Sequence, residues 1–223
     1  RLLSIIGPLA NSQPYIKECR LRQSTEKVDW QSADFRSNHY KMGETLMQAH
    51  MNHLTKVKGV TIPNLGVEPW LTSTPSSSAK GRILINRTGR YRNPFFKWAE
   101  VVKKYRHKLL FIGLHHEWRE FCGHFGYVEY LPTSNMLEVA QAISGCDLFI
   151  GNQSCCNAVA EGFKKPIIQE TSTIFPDCVW VRVGAQHVYD GVMTLPGFDG
   201  EGDTKILAYD PVERITQIST VQT

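Results

Sequence analysis

The 223-residue chain lacks the features that mark membrane proteins, secreted proteins and disulfide-stabilised domains. No apolar run approaches the roughly 18 residues that a membrane-crossing helix requires, and the first residues show no signal-peptide pattern. The six cysteines form no C-x-x-C pair, so we expect reduced thiols and no disulfide framework. These absences predict a cytoplasmic protein without a membrane span.

The charge balance is only weakly positive. The chain has 25 Lys and Arg residues against 21 Asp and Glu residues, which does not indicate nucleic-acid binding but suits an anionic ligand. An acidic stretch near the end imitates part of a calcium loop. Because Thr204 stands where that loop requires glycine, we expect no metal site.

Short apolar segments alternate with amphipathic helical patterns through the middle of the chain. The strands are predicted over residues 82–86, 108–113, 127–132, 146–151 and 165–169, with a helix between each pair. Residues 177–183 could add a further strand. Such alternation with short connections predicts an α/β fold, with a Rossmann-type parallel sheet covered by helices on both faces.

The first 70 residues are less regular and predict a second, smaller α/β region. Helices are expected at the start and over residues 38–54, and a strand over residues 16–22. Residues 71–80, rich in Ser, Thr and Pro, read as a linker to a Rossmann-like domain over residues 81–223. Because Arg1 already opens on a helical pattern, we expect further chain upstream of it.

Arginines concentrate in the loop that follows the first predicted strand of the sheet. Arg87, Arg90 and Arg92 lie here, and no acidic residue occurs between Lys80 and Lys97. Ligands of open parallel sheets bind at the carboxyl ends of the strands, and arginine suits bidentate contact with phosphate. The alternative is a solvated loop whose arginines are unrelated to a ligand.

The segment GNQSCCN, residues 151–157, follows the fourth predicted strand and opens a helix. Gln153, Ser154 and Cys155 at a helix start would present backbone N–H groups and the positive end of the helix dipole, which is an anion site. Alternatively, Ser154 only caps the helix and the cysteines pack as small apolar residues. A catalytic cysteine is a third reading, but no histidine is tied to it by spacing.

The order of motifs over residues 83–170 resembles the donor-binding domain of GT-B glycosyltransferases, and most closely the heptosyltransferases of glycosyltransferase family 9. The motifs are ILINRTGRYRN, LLFIGLHHEW, YVEYLPTSNMLEVAQAISGCDLFIGNQS and NAVAEGFKKPIIQE. The resemblance implies phosphate contacts at Arg87, Thr88 and Arg90, a nucleoside contact at Glu117, and a diphosphate-cradling turn at Gln153, Ser154 and Cys155. Gln153, Cys155 and Ala158 replace the Asp, Gly and His of that family.

The resemblance also implies a reaction. A metal-independent glycosyltransferase would move a sugar from a nucleotide-diphosphate sugar to a hydroxyl of a glycan or other acceptor, with no further cofactor. The catalytic base of the family is an Asp in the N-terminal, acceptor-side domain, which its order places before Arg1. The alternatives are a non-catalytic nucleotide- or sugar-binding or assembly protein on the same fold, and a cysteine-dependent hydrolase.

Overall fold

A six-stranded parallel sheet organises the computed structural model, which describes residues 2–27, 45–60, 68–175, 178–198 and 201–206. Its strands are β1 (Ile83–Asn86), β2 (Leu109–Phe111), β3 (Glu129–Tyr130), β4 (Leu148–Asn152), β5 (Ile167–Glu170) and β6 (Ala185–Val188). They lie side by side in the order β3-β2-β1-β4-β5-β6, and every pair is parallel. The predicted α/β sheet and its five strands are confirmed. The further strand predicted over residues 177–183 is not found in the described part of that range, and the sixth strand follows it at Ala185–Val188.

Two α-helices precede the sheet in the described chain, and four connect its strands on both faces. They are α1 (Leu2–Asn11), α2 (Leu46–Lys58), α3 (Trp98–Tyr105), α4 (His115–Phe125), α5 (Met136–Gly145) and α6 (Cys155–Gly162). Asn135 caps α5 by accepting hydrogen bonds from two backbone N–H groups, and Ser154 caps α6 by accepting one from Asn157. A small antiparallel pair, β7 (Met193–Leu195) and β8 (Thr204–Ile206), follows the sheet.

Two apolar cores form because successive strand residues point to opposite faces of the sheet. Ile83 and Ile85 pack with Trp98 of α3 and Phe121 of α4 on one face. Leu84 of β1 packs with residues of α5 and α6 on the other face. The buried strands therefore read as continuous apolar runs, which is why the sequence located them.

The strand order reverses between β1 and β4, and parallel sheets bind ligands outside the carboxyl ends of the strands at such a point. Asn86 lies opposite Gly151 at this end of the pair. A side-chain Cβ at Gly151 would lie 2.8 Å from the carbonyl oxygen of Asn86, so only glycine permits this close approach. The candidate site is built around this junction.

Helix α1 packs against α5, and the segment after it is irregular. The strand predicted over residues 16–22 does not form, because that segment joins no backbone ladder with another described segment. The helix predicted over residues 38–54 is observed from Leu46 onward, and its earlier residues up to 44 lie outside the described ones. The division into residues 1–70, 71–80 and 81–223 stays a prediction.

Six α-helices lie within the described residues. None of them has both the length and the apolar character that crossing a membrane requires.

Candidate functional site

Buried amides tie the loop after β1 to the end of β4. Asn152 accepts a hydrogen bond from the backbone N–H of Thr88 at 3.0 Å and donates one to the carbonyl of Arg90 at 2.5 Å. Ser154 donates from its hydroxyl to Asn86 Oδ1 at 2.8 Å, and Asn86 Nδ2 donates to the carbonyl of Ile112. These bonds fix the backbone of the arginine loop against the start of α6.

Arg87 is held by a buried carboxylate. Its guanidinium donates to both oxygens of Glu170, Nε to Oε2 at 2.9 Å and Nη2 to Oε1 at 2.8 Å. Glu170 is fully buried and also accepts from the backbone of Asn93 and from the indole N–H of Trp98, each at 2.8 Å. The structure thus gives Arg87 a protein partner, since separating the pair would leave a buried carboxylate without its counter-charge. The phosphate contact at Arg87 stays a prediction.

Arg90 differs from its neighbours in the loop. Arg92 pairs with Glu120 and Arg82 pairs with Glu129. The guanidinium of Arg90 is exposed, lies over the ring of Tyr91 at 5.3 Å, and forms no ion pair with any described residue. Of the arginines of β1 and its loop, Arg90 alone therefore keeps its charge available to a ligand.

Two cavities open at the carboxyl edge of the sheet, one on each side of the start of α6. Cavity A has a volume of about 300 Å³. It is lined by Ile5, Asn86, Thr88, Gly113, Leu114, Glu117, Thr133, Ser134, Asn135, Met136, Val139, Cys155 and Cys156. One carboxylate, that of Glu117, lies among these described residues. Its Oε2 accepts from the backbone N–H of Leu114 at 3.0 Å, which holds it at the start of α4.

Cavity B has a volume of about 600 Å³ and a largely apolar wall. Its lining comprises Leu46, Met47, His50, Met51, Leu54, Trp70, Arg90, Tyr91, Gln153, Ser154, Cys155, Asn157, Ala158, Cys178 and Trp180. Arg90 brings a cation and α6 brings its first turn. The helix α2 and the two tryptophans bring most of the apolar surface.

Cys155 lies in the wall of both cavities. The pKa of Cys155 is lowered to about 6, chiefly by a hydrogen bond from the thiol of Cys156 and also by backbone N–H groups, while burial and Glu117 act in the opposite direction. The pKa of Cys156 is correspondingly raised by the same hydrogen bond and by burial. The lowered pKa of Cys155 favours the thiolate form of this side chain at the helix start.

The side chains of Gln153 and Ser154 serve the protein itself. Gln153 is buried, donates to the carbonyl of Phe175 at 2.6 Å and accepts from the backbone N–H of Ser172 at 2.8 Å. Ser154 donates to Asn86 while accepting from Asn157. Both residues can therefore offer a ligand their backbone, but their side-chain polar groups already have partners.

The predicted site residues fall into three groups. Thr88, Glu117 and Cys155 line cavity A, whereas Arg90, Gln153, Ser154 and Cys155 line cavity B. Arg87 lines neither. Reasoning from the sequence missed the contribution of α2, Trp70 and Trp180, because nothing in local periodicity shows which cavity a distant helix will cover. It also missed Asn157, whose Oδ1 is buried without a hydrogen-bond partner.

Metal ligands do not cluster at the site. Within the described ranges, no group of three or more His, Cys, Asp or Glu side chains is placed to hold a metal ion. Asp203, a member of the calcium-like stretch, instead accepts a hydrogen bond from the backbone N–H of Gly197. Other acidic residues of that stretch, at 199 and 210, lie outside the described residues.

Comparison with known proteins found no matching family model and no matching curated protein. Among solved structures, the chain is similar to the E. coli heptosyltransferase WaaC with ADP, at 15% identity and a TM-score of 0.48, over 66% of this chain and 51% of that one. It is also similar to WaaC with ADP-2-deoxy-2-fluoro heptose, at 18% identity and a TM-score of 0.41, over 59% and 46%. For the E. coli ADP-heptose lipopolysaccharide heptosyltransferase II the values are 17% and 0.41, over 64% and 49%. The chain spans about half the length of these structures, and they are heptosyltransferases, the group whose motifs its sequence resembles.

Proposed function

We propose that this chain binds a nucleotide-diphosphate sugar at the carboxyl edge of its sheet and serves as the donor-binding part of a glycosyltransferase. The observation that carries the proposal is the meeting of two cavities at Cys155, on the first turn of α6, beside the exposed guanidinium of Arg90. One cavity suits the nucleoside and the other the sugar, and the exposed guanidinium of Arg90 suits the diphosphate between them.

Cavity A is the proposed nucleoside site. Acidic residues at this edge of nucleotide-binding sheets accept hydrogen bonds from ribose hydroxyls, and Glu117 is the one carboxylate among the described residues that line the cavity. Its Oε2 is held by Leu114, which orients the carboxylate before a ligand arrives. The apolar side chains of Ile5, Met136 and Val139 offer contact for a base.

The diphosphate is proposed to lie over the first turn of α6. The first N–H groups of a helix have no partner within the helix and carry the positive end of its dipole. Arg90 adds an exposed cation at the border of cavity B. Together they would stabilise the charge that develops on the leaving diphosphate during transfer, which is a role that requires no metal ion.

Cavity B is the proposed site of the sugar and of the approaching acceptor. The wall of this cavity is mainly apolar, and the side chains of Gln153 and Ser154 already have protein partners. We therefore expect recognition of the sugar to depend on shape and on backbone groups. Arg87 has a supporting part in this proposal, since its ion pair with Glu170 holds the loop that presents Arg90.

A non-catalytic binding protein on the same fold is the second candidate. The observation that favours it concerns Gln153, which stands where the family has an Asp. The side chain of Gln153 forms its hydrogen bonds within the protein. The described walls of cavities A and B also supply one carboxylate only, Glu117, so the proposal assigns no catalytic base to them. Both candidates require nucleotide binding, but only the glycosyltransferase would turn over a nucleotide sugar.

Calorimetric titration with ADP, UDP, GDP and CDP tests the proposal. At least one nucleotide should bind with one-to-one stoichiometry, and Arg90→Ala should weaken that binding about tenfold or more, as loss of a charge-assisted hydrogen bond does. The matched control is Arg119→Ala, which removes an exposed arginine of α4 that lines neither cavity. Absence of binding to all four nucleotides, or equal effects of the two substitutions, would reject the donor site.

A further inference from the structure

A third cavity, cavity C, opens at the opposite edge of the sheet, where the parallel strands begin. It has a volume of about 520 Å³, and its polar lining residues are Arg82, Arg106, His107, Tyr127 and Glu129. The rest of its lining is buried and apolar. Arg82 directly precedes β1, and Arg106 and His107 lie between α3 and β2. Cavity C shares no lining residue with cavities A and B, which lie at the carboxyl edge.

Arg106 is an exposed cation without a partner in the described chain. It forms no ion pair and no side-chain hydrogen bond with any described residue. Its guanidinium nevertheless has a defined place, since a Cβ added at Gly126 would lie only 2.7 Å from Nη2. Gly126 therefore leaves the space that the guanidinium occupies. The five N–H donors of Arg106 have no acceptor among the described residues, and their fork matches the geometry of a phosphate.

Arg82 brings a second guanidinium, which the protein holds in place. Its Nε donates to the carbonyl of Lys108 at 3.1 Å, and its Nη2 donates to the carbonyl of Leu109 at 2.9 Å and to Oε2 of Glu129 at 2.6 Å. His107 is exposed and can donate a ring N–H in either protonation state. The described lining thus has three basic side chains against one carboxylate, which Arg82 already neutralises, so the cavity attracts an anion.

The remaining two polar lining residues restrict which anion fits. The side chain of Glu129 is 58% exposed, and only its Oε2 contacts Arg82, so Oε1 can accept a hydrogen bond from a hydroxyl group. Tyr127 is 66% exposed and offers its ring as a packing surface. A ligand charged along its whole length, such as a nucleic acid, would bring negative charge against the carboxylate. A single phosphate on an uncharged, hydroxyl-bearing body suits the cations, the carboxylate and the ring together.

We propose that cavity C binds the phosphate monoester of a small polyhydroxylated molecule, such as a sugar phosphate. The phosphate accepts hydrogen bonds from Arg106 and His107, with Arg82 adding its charge. The hydroxyl groups donate to Oε1 of Glu129, and the carbon skeleton packs on Tyr127. No covalent bond forms or breaks. This second site is independent of the proposed sugar transfer, because it lies at the other edge of the sheet.

Calorimetric titration of the full chain with glucose 6-phosphate, inorganic phosphate and glucose tests the site. Glucose 6-phosphate should bind saturably and at least about tenfold more tightly than inorganic phosphate, and glucose should show no measurable binding. Arg106→Ala should weaken glucose 6-phosphate binding about tenfold or more, and Arg106→Lys should weaken it less, because lysine keeps the charge but not the fork. Lys103→Ala is the matched control, since it removes an exposed cation of α3 that lies outside cavity C. Tyr127→Ala should reduce the advantage of glucose 6-phosphate over inorganic phosphate.

Three results would overturn the proposal. They are an absence of saturable glucose 6-phosphate binding, equal losses of affinity in Arg106→Ala and Lys103→Ala, and equal affinities for glucose 6-phosphate and inorganic phosphate. The two sites are separated by Arg90→Ala, which should leave glucose 6-phosphate binding unchanged. A loss of that binding in Arg90→Ala but not in Arg106→Ala would assign the ligand to the donor site and so reject cavity C. Binding through Arg106 without binding of any nucleoside diphosphate would retain cavity C and reject the donor site.

Discussion

Arg87 and Glu170 form a bidentate ion pair at the carboxyl edge of the sheet, with nitrogen–oxygen distances of 2.8 and 2.9 Å. Glu170 ends β5 and is fully buried, and Arg87 opens the loop after β1. The pair therefore spans the point where the strand order reverses, with β4 between its two partners. It fixes the loop that presents Thr88 to cavity A and Arg90 to cavity B.

The first prediction concerns this ion pair. Glu170→Gln keeps the size of the side chain but leaves the guanidinium of Arg87 without its counter-charge in a largely buried position. We expect the free energy of unfolding to fall by about 3 kcal/mol, since breaking a buried pair leaves an uncompensated charge. Urea unfolding measures the loss. Glu120→Gln, which breaks the more exposed pair with Arg92, should cost below about 1 kcal/mol, and equal losses would contradict the assignment.

A second prediction concerns Gly151. A Cβ added here would lie 2.8 Å from the carbonyl oxygen of Asn86 and 2.9 Å from the ring of Phe149, so β1 and β4 would have to separate. Gly151→Ala should therefore destabilise the chain by about 1 to 3 kcal/mol in urea unfolding. Gly123→Ala is the control, because nothing lies within 4 Å of its added Cβ and alanine favours the helix α4. An unchanged free energy of unfolding in Gly151→Ala would refute the close approach of β1 and β4.

The strands β1, β2, β4 and β5 were predictable from the sequence because each is a short run that is buried along its whole length. The edge strand β3 was also located, although Glu129 is exposed. Strand β6 was not, because its residues Ala185, Gln186 and His187 are only partly buried at the edge of the sheet. The concentration of arginines in the loop after β1 was also readable from the sequence. The sequence did not show that Arg87 is paired within the protein while Arg90 is exposed. The partner of Arg87 is Glu170, which lies 83 residues further along the chain.

The composition of the wall of cavity B was also only partly predictable from the sequence. The helical pattern of Met47 and His50 was visible in the sequence, and so was the junction that contains Gln153. That they share one cavity with Trp180 follows from packing between segments far apart in the chain. Local residue types therefore located the edge of the site, whereas its walls required the fold.

A third prediction follows from the pKa of Cys155. Because Cys156 donates a hydrogen bond to the thiolate, the pKa of Cys155 is lowered to about 6. The thiolate therefore forms as pH rises through 6, and the alkylation rate should climb between about pH 5 and 7 and then level off. Cys156→Ala removes the donor and should move the midpoint to higher pH. A wild-type rate that still climbs steeply between pH 8 and 9, as for a free thiol, would contradict this assignment.

A fourth prediction tests the nucleoside site. Glu117→Gln removes the charged acceptor in cavity A and should weaken nucleoside diphosphate binding about tenfold, the effect of losing one charge-assisted hydrogen bond. Glu138→Gln is a matched control, since Glu138 accepts a backbone N–H at the start of α5 as Glu117 does at α4, yet lies outside the walls of both cavities. Calorimetric titration of both variants with the same nucleoside diphosphate measures the two losses of affinity. Equal losses would show that helix capping, and not ligand contact, explains the effect.

The position of a bound nucleotide tests the central claim most directly. A crystal structure of the chain with the nucleoside diphosphate that binds most tightly should show the nucleoside in cavity A. Its diphosphate should lie within hydrogen-bonding distance of the N–H groups at the start of α6 and of the guanidinium of Arg90. A nucleotide bound elsewhere on the chain, or a diphosphate held by Arg87 with its ion pair to Glu170 broken, would contradict the account.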